Sequence, residues 1–190
     1  MSSMAILLVV AVAVIGYVVA IYNKLVQLRV ATSNAWSQIS VQLKRRHDLI
    51  PNLVEVVKGY AKHESETLEN VIKARSGAVS AADSDDIAGQ IQAENMLSGA
   101  LRQLFALSEQ YPELKANENF SQLHEELVST ENKIGFARQH YNDTVAVYNT
   151  AIEQVPANIV AKFGSFPRKE FFELDASEEA AVREVPRVSF

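Results

Sequence analysis

Four histidines and 23 acidic side chains are the groups that could hold a metal or move protons, and spacing decides whether they do. A di-iron bundle sets Glu and His three residues apart, so that both project from one helix face at one ion. None of His47, His63, His124 or His140 has an acid three residues before it. Zinc proteases need His-Glu-x-x-His, because residues four apart share a helix face. The fragments His63-Glu64-Ser65-Glu66-Thr67 and His124-Glu125-Glu126-Leu127-Val128 lack the second His. There is no glycine-rich phosphate loop and no Gly-x-Ser-x-Gly elbow. With no cysteine, disulfides, thiolate metal sites and cysteine nucleophiles are excluded. The expectation is a protein with no catalytic residue, no cofactor and no metal: not an enzyme.

The remaining polar groups read as contacts. Lys44-Arg45-Arg46-His47 is the one basic cluster, and it admits two readings. It docks on anionic lipid or an acidic partner, or it complements the negative end of a helix dipole. In an unbroken helix it would stand about 30 Å beyond a membrane, far outside a Debye length of about 8 Å. Trp36 occupies a core-facing position. Arg138, Tyr141, Asn142, Tyr148 and Asn149 place polar groups along one helix, as a buried network fixing register or as a small-molecule site. Phe163, Phe166, Phe171 and Phe172 crowd the region after Pro156, and the sequence ends Val185-Pro186-Arg187-Val188-Ser189-Phe190. These aromatics either cover one end of the fold or form an arm that docks on a neighbour or partner. The candidate interaction residues are therefore Lys44, Arg45, Arg46, Phe171, Phe172, Val185, Val188 and Phe190.

What must position them begins with a run of residues without charge. No Asp, Glu, Lys or Arg precedes Lys24, and Met4 to Tyr22 is almost wholly apolar. As a helix the run is roughly 28 Å long, close to the hydrocarbon thickness of a bilayer. No basic residue precedes it and no small-residue cleavage site follows, so it reads as an uncleaved anchor. The basic residues flanking it, Lys24 and Arg29, predict a domain on the cytoplasmic side of the membrane with the N-terminus outside. A net charge of −5 argues against nucleic acid as a partner.

Beyond the anchor the sequence is helical. Residues 52–111 and 113–155 contain no proline, and Asn-Gly or Asp-Gly hairpin turns are absent. Phe120, Leu123, Leu127, Thr130, Ile134, Ala137, Tyr141, Val145, Tyr148 and Ile152 keep one helical face, capped by Asn117 or Asn119 and stopped before Pro156. Leu25, Leu28, Thr32, Ala35 or Trp36, Ile39 and Leu43 continue the membrane helix. Leu53, Val57, Tyr60 or Ala61, Glu64, Leu68 and Ile72 read as a second helix ending near Gly77. Ile87, Ile91, Leu97, Leu101, Leu104 and Phe105 read as a third, capped by Asp83 or Ser84. At His47 to Pro51 either a new helix starts, with Pro51 in its first turn, or one helix runs through. The first option is favoured because it gives four helices of comparable length. The predicted fold is all-α: a transmembrane helix over 1–23, an antiparallel four-helix bundle over 24–155, and an aromatic and acidic tail over 156–190.

Long segments of the chain resemble the LemA family of bacterial membrane-anchored helical proteins. They are Tyr22-Asn23-Lys24-Leu25-Val26, Ala35-Trp36-Ser37-Gln38-Ile39, the stretch from Val41 to Val54, Tyr111-Pro112-Glu113-Leu114-Lys115-Ala116-Asn117, Ala137-Arg138-Gln139-His140-Tyr141-Asn142 and the closing Val185 to Phe190. The resemblance implies a helical bundle behind one membrane helix, with no catalytic residue to carry over. The family includes a magnetosome-membrane protein, and some members are encoded near the membrane metalloprotease HtpX. Two functions are therefore expected. One is a membrane scaffold that self-associates as a homo-oligomer in the lipid bilayer. The other is an adaptor or regulator of a membrane protease.

Overall fold

The computed structural model describes residues 3–61, 64–84 and 86–173, and among them there are six helices and no strand. They are α1 (Ser3–Tyr60), α2 (Ser65–Ala82), α3 (Ile87–Ser108), α4 (Pro112–Lys115), α5 (Glu118–Glu153) and α6 (Ala157–Phe163). The chain divides into two compact units. Unit 1 comprises the residues up to Gln38 with Ala137–Phe171; unit 2 comprises Ile39–Phe136 with Phe172 and Glu173. The helices α1 and α5 each contribute to both.

Where a break was expected at His47 to Pro51, α1 runs on without interruption. Proline has no N–H to give the carbonyl four residues earlier, which here is His47. Arg75 of α2 supplies the missing donor: its Nε bonds the His47 carbonyl oxygen at 2.7 Å. The helix tolerates Pro51 because a side chain repairs the one bond that the ring removes. The true interruption falls later, between Ala61 and Ser65. Leu68 beyond it is buried as expected, but the next buried position is Val71, three residues on, and Ile72 is exposed. Gly77 lies inside α2 rather than at its end, and the helix continues to Ala82. Asp86, not Asp83 or Ser84, precedes α3.

Unit 2 packs α2 and α3 as a hairpin against the second part of α1 and the first part of α5. Its core holds Ile50, Leu53, Val54 and Val57 from α1, Leu68 and Val71 from α2, Leu97, Leu101 and Leu104 from α3, Leu114 from α4, and Phe120 and Leu127 from α5. Asn117 caps α5 as expected: its Oδ1 accepts the Phe120 N–H at 3.0 Å.

In unit 1, α1 carries an apolar stretch with none of its residues buried, the one helix among the described residues long and apolar enough to cross a membrane. From Leu25 the same helix enters a core with Tyr148, Ile152, Ala161 and Phe166. Past Glu153 the chain turns through Pro156 into α6. That helix closes with the Phe166 N–H on the Ala161 carbonyl at 3.1 Å and Ser165 at φ 54°, a Schellman-like reversal with serine where glycine is usual. The reversal sends Phe166 back onto α1.

Candidate functional site

Arg46 is the centre of the most concentrated polar chemistry in unit 2. It sits in the apolar phase of α1, in the row Ile39, Leu43, Arg46, Ile50, Leu53, Val57, and is only 2% exposed. Glu94 holds the matching position on α3, in the row Gln90, Glu94, Leu97, Leu101, Leu104, and is 3% exposed. The two form a short ion pair through Arg46 Nη2 and Glu94 Oε2. Arg46 Nη1 also donates to Ser98 Oγ at 3.0 Å and to Glu131 Oε2 at 2.7 Å. His47 Nε2 lies 2.7 Å from the other Glu94 oxygen. One guanidinium thus ties α1, α3 and α5 together.

Burial pushes the Glu94 carboxyl up, but the hydrogen bond with His47 and the charge of Arg46 outweigh it and hold the group below its ordinary value. Glu94 is therefore ionised and fully engaged. The pairing joins α1, α3 and α5 at one buried point. Beside it a cavity of about 320 Å³ is bounded by Arg46, Ser98, Phe105, His124 and Glu131. A shallower groove of about 700 Å³ runs between α2 and α3, over Ala74, Gly77, Ala93, Gly99 and Ala100. Ile72, Val79 and Met96 stand exposed on the same two helices.

Unit 1 builds a different contact. Tyr148 donates to the Pro167 carbonyl at 2.9 Å and Tyr141 to the Glu170 carbonyl at 2.9 Å. Asn149 bonds Lys169 twice, giving Nδ2–H to its carbonyl at 2.8 Å and accepting its N–H at 2.9 Å. An extended segment of the chain is thereby clamped along α5. Burial raises the Tyr141 hydroxyl to about 12, with the nearby Glu170 carboxylate adding to the effect. Trp36 meets Tyr141 edge-on, with ring centroids 5.2 Å apart.

The predicted interaction residues separate. Lys44 and Arg45 are exposed, and Arg45 makes only a 3.5 Å surface pair with Glu126. Arg46 is not part of a surface cluster, because its neighbours on α3 and α5 neutralise it. Phe171 is half-exposed and Phe172 buried. Val185, Val188 and Phe190 lie outside the described residues. The polar positions 141, 148 and 149 hold the chain's own segment. The sequence reading missed Glu94. The available signal was a charged residue in the apolar phase of each of two helices, Arg46 and Glu94, since opposite charges so placed must meet or be expelled.

Residues 35–190 match the LemA family. The chain belongs to the LemA family. It is 30% identical over 145 residues to protein LemA of Metamycoplasma hominis, covering 74% of this chain and 63% of that protein. It is 26% identical over 174 residues to the magnetosome protein MamQ of Magnetospirillum gryphiswaldense, covering 80% and 64%. With magnetosome protein MamQ 2 of Paramagnetospirillum magneticum it shares 25% over 175 residues, with the same coverage. The chain spans about 64% of the length of these MamQ relatives. Family and candidate span together describe a membrane-associated protein of LemA type.

Proposed function

We propose that this LemA-family chain is a non-enzymatic, membrane-anchored helical scaffold that self-associates and organises membrane or membrane-protein assemblies. The observation that carries the reading is the continuity of α1. The helix that leaves the uncharged run becomes core at Leu25 with no linker between anchor and unit 1. A tether meant only to confine a soluble activity needs no such coupling, whereas an assembling protein benefits from a fixed anchor. The exposed Ile72, Val79 and Met96 beside the α2–α3 groove supply apolar surface for a second copy. Relatives named as magnetosome proteins support a role at a membrane. Lys24 and Arg29 favour retention of the folded units on the cytoplasmic side of the inner membrane.

The test is stoichiometry in native-lipid nanodiscs, measured by mass photometry at native expression. Multiple copies per particle are expected; a uniform monomer overturns self-association. Crosslinking in cells sharpens the result. Recovery of one dominant membrane protease in place of a second copy would replace the scaffold by a protease adaptor.

A further inference from the structure

The anchor is not the only apolar surface that unit 1 leaves uncovered. Ile159 and Phe163 stand four residues apart on α6 and Val155 lies just before it; they are 57%, 86% and 80% exposed. Phe163 is thus more exposed than any large apolar residue of the span itself. The opposite side of α6 is packed: Ala161 and Val160 join Leu25, Tyr148, Ile152 and Phe166, with Ile21, Val26 and Leu28 around them. The docking level on α1 is fixed by two ring contacts. Phe166 stands edge-on to Tyr22 at 5.4 Å, and the Arg29 guanidinium lies 4.9 Å over the same ring.

This level matters because Ile21 and Tyr22 end the apolar run and Lys24 follows two residues later. A bilayer's interfacial layer is about 6 Å deep on each side of its hydrocarbon core, or about four residues of helix. Ile21, Tyr22 and Leu25 cover about that length of helix, so the segment they hold lies at that layer. Its charges suit the place. Lys24 and Lys162 are exposed near the apolar positions, and the nearby Arg168 pairs with Glu153 at 3.0 Å on the surface. Long basic side chains beside aromatic and aliphatic ones are what an interfacial segment uses, with stems in the boundary and charges among lipid headgroups.

We propose that α6 is a second membrane contact: Val155, Ile159 and Phe163 seat in the headgroup–acyl boundary of the leaflet from which α1 emerges. The occupant is lipid, because α6 packs into one core with Ile21 and Leu25 at the end of the span, on the same compact unit. The protein then meets the bilayer at two points, a crossing helix and a short helix lying beside its exit.

The absence of cysteine makes the test direct. Single nitroxide labels are placed by Phe163→Cys, Ile159→Cys, Ile15→Cys in the span and Ser37→Cys on the exposed part of α1. The full chain is reconstituted in liposomes, and collision with oxygen is compared with collision with a water-soluble nickel chelate. The oxygen-to-nickel ratio at 163 and 159 should exceed that at 37 several-fold and approach that at 15. Phe163 and Ile159 point away from the core, so the labels leave the fold intact, checked by unchanged helical circular dichroism. A ratio at 163 equal to that at 37, with 15 in lipid, overturns the contact alone. An aqueous reading at 15 overturns the span on which the inference rests, and the inference with it. Dipolar broadening at 163 that disappears on dilution with unlabelled chain assigns the face to a second copy and overturns lipid as its occupant.

Discussion

Arg46 in unit 2 and Asn149 in unit 1 are both buried polar residues on long helices, yet they are satisfied by opposite means. Arg46 is answered by charges drawn from two other helices, Glu94 and Glu131. Asn149 is answered by neutral backbone groups of one residue, Lys169. The first arrangement joins helices far apart in sequence, with Arg46 and Glu94 48 positions apart. The second holds an extended segment only 20 positions away. A buried charge must keep its partner, because an unpaired ion in a dry core is far more costly than an unpaired amide. Unit 2 should therefore fail abruptly when its network is broken, and unit 1 by local release.

The largest expected effect tests that contrast at Glu94. Glu94→Gln leaves the Arg46 charge buried with Glu131 alone and should cost about 3–5 kcal/mol, read by denaturant unfolding in mild detergent. Acid should act on the same group. Glu94 titrates below its ordinary value of 4.5, so its ionised form stabilises the fold above that pH. That contribution is lost as pH falls through the lowered value, and the loss should be absent in Glu94→Gln. Equal pH dependence in both proteins would remove Glu94 from the account.

Asn149→Ala should have a smaller and more local effect. Two hydrogen bonds disappear, worth about 1–3 kcal/mol together. Trypsin should then cut after Arg168 and Lys169 much faster, while global unfolding moves little. A large global shift with no added cleavage would erase the distinction between the units. The smallest effect is expected at Glu131, whose side chain is 53% exposed. Glu131→Gln should cost less than about 1 kcal/mol, because Glu94 still neutralises Arg46. A loss as large as that of Glu94→Gln would show that the network is one indivisible unit.

Much of the helical framework was legible, and particular residues show why. The row from Phe120 to Ile152 lies on one helix because nothing interrupts its period, and Asn117 caps it through a local bond. The wrong reading at Pro51 came from treating the ring as a local problem. The repair comes from Arg75, 28 positions away, which no nearby residue announces. Ile72 was misplaced for a different reason: steps of three and of four both keep a helical face, and from Leu68 the buried step is three, to Val71. Of the polar residues singled out, Tyr141, Tyr148 and Asn149 do form a network. Its partners are carbonyls and an N–H, which every sequence offers at every position and none advertises. The apolar face of α6 was hidden among phenylalanines that differ only in the direction they point: Phe166 inward and Phe163 outward.

The clamp on α5 has an evolutionary consequence. Tyr141, Tyr148 and Asn149 touch the main chain of Pro167, Lys169 and Glu170, in the manner of an adjoining strand, and ask nothing of the side chains there. Apart from proline at 169, which would remove the N–H that Asn149 accepts, those three positions are free to drift by substitution without loosening the hold. A deleted or inserted residue is another matter, since it would slide every carbonyl past its donor. Selection on this arm should act on its length and leave its lettering open.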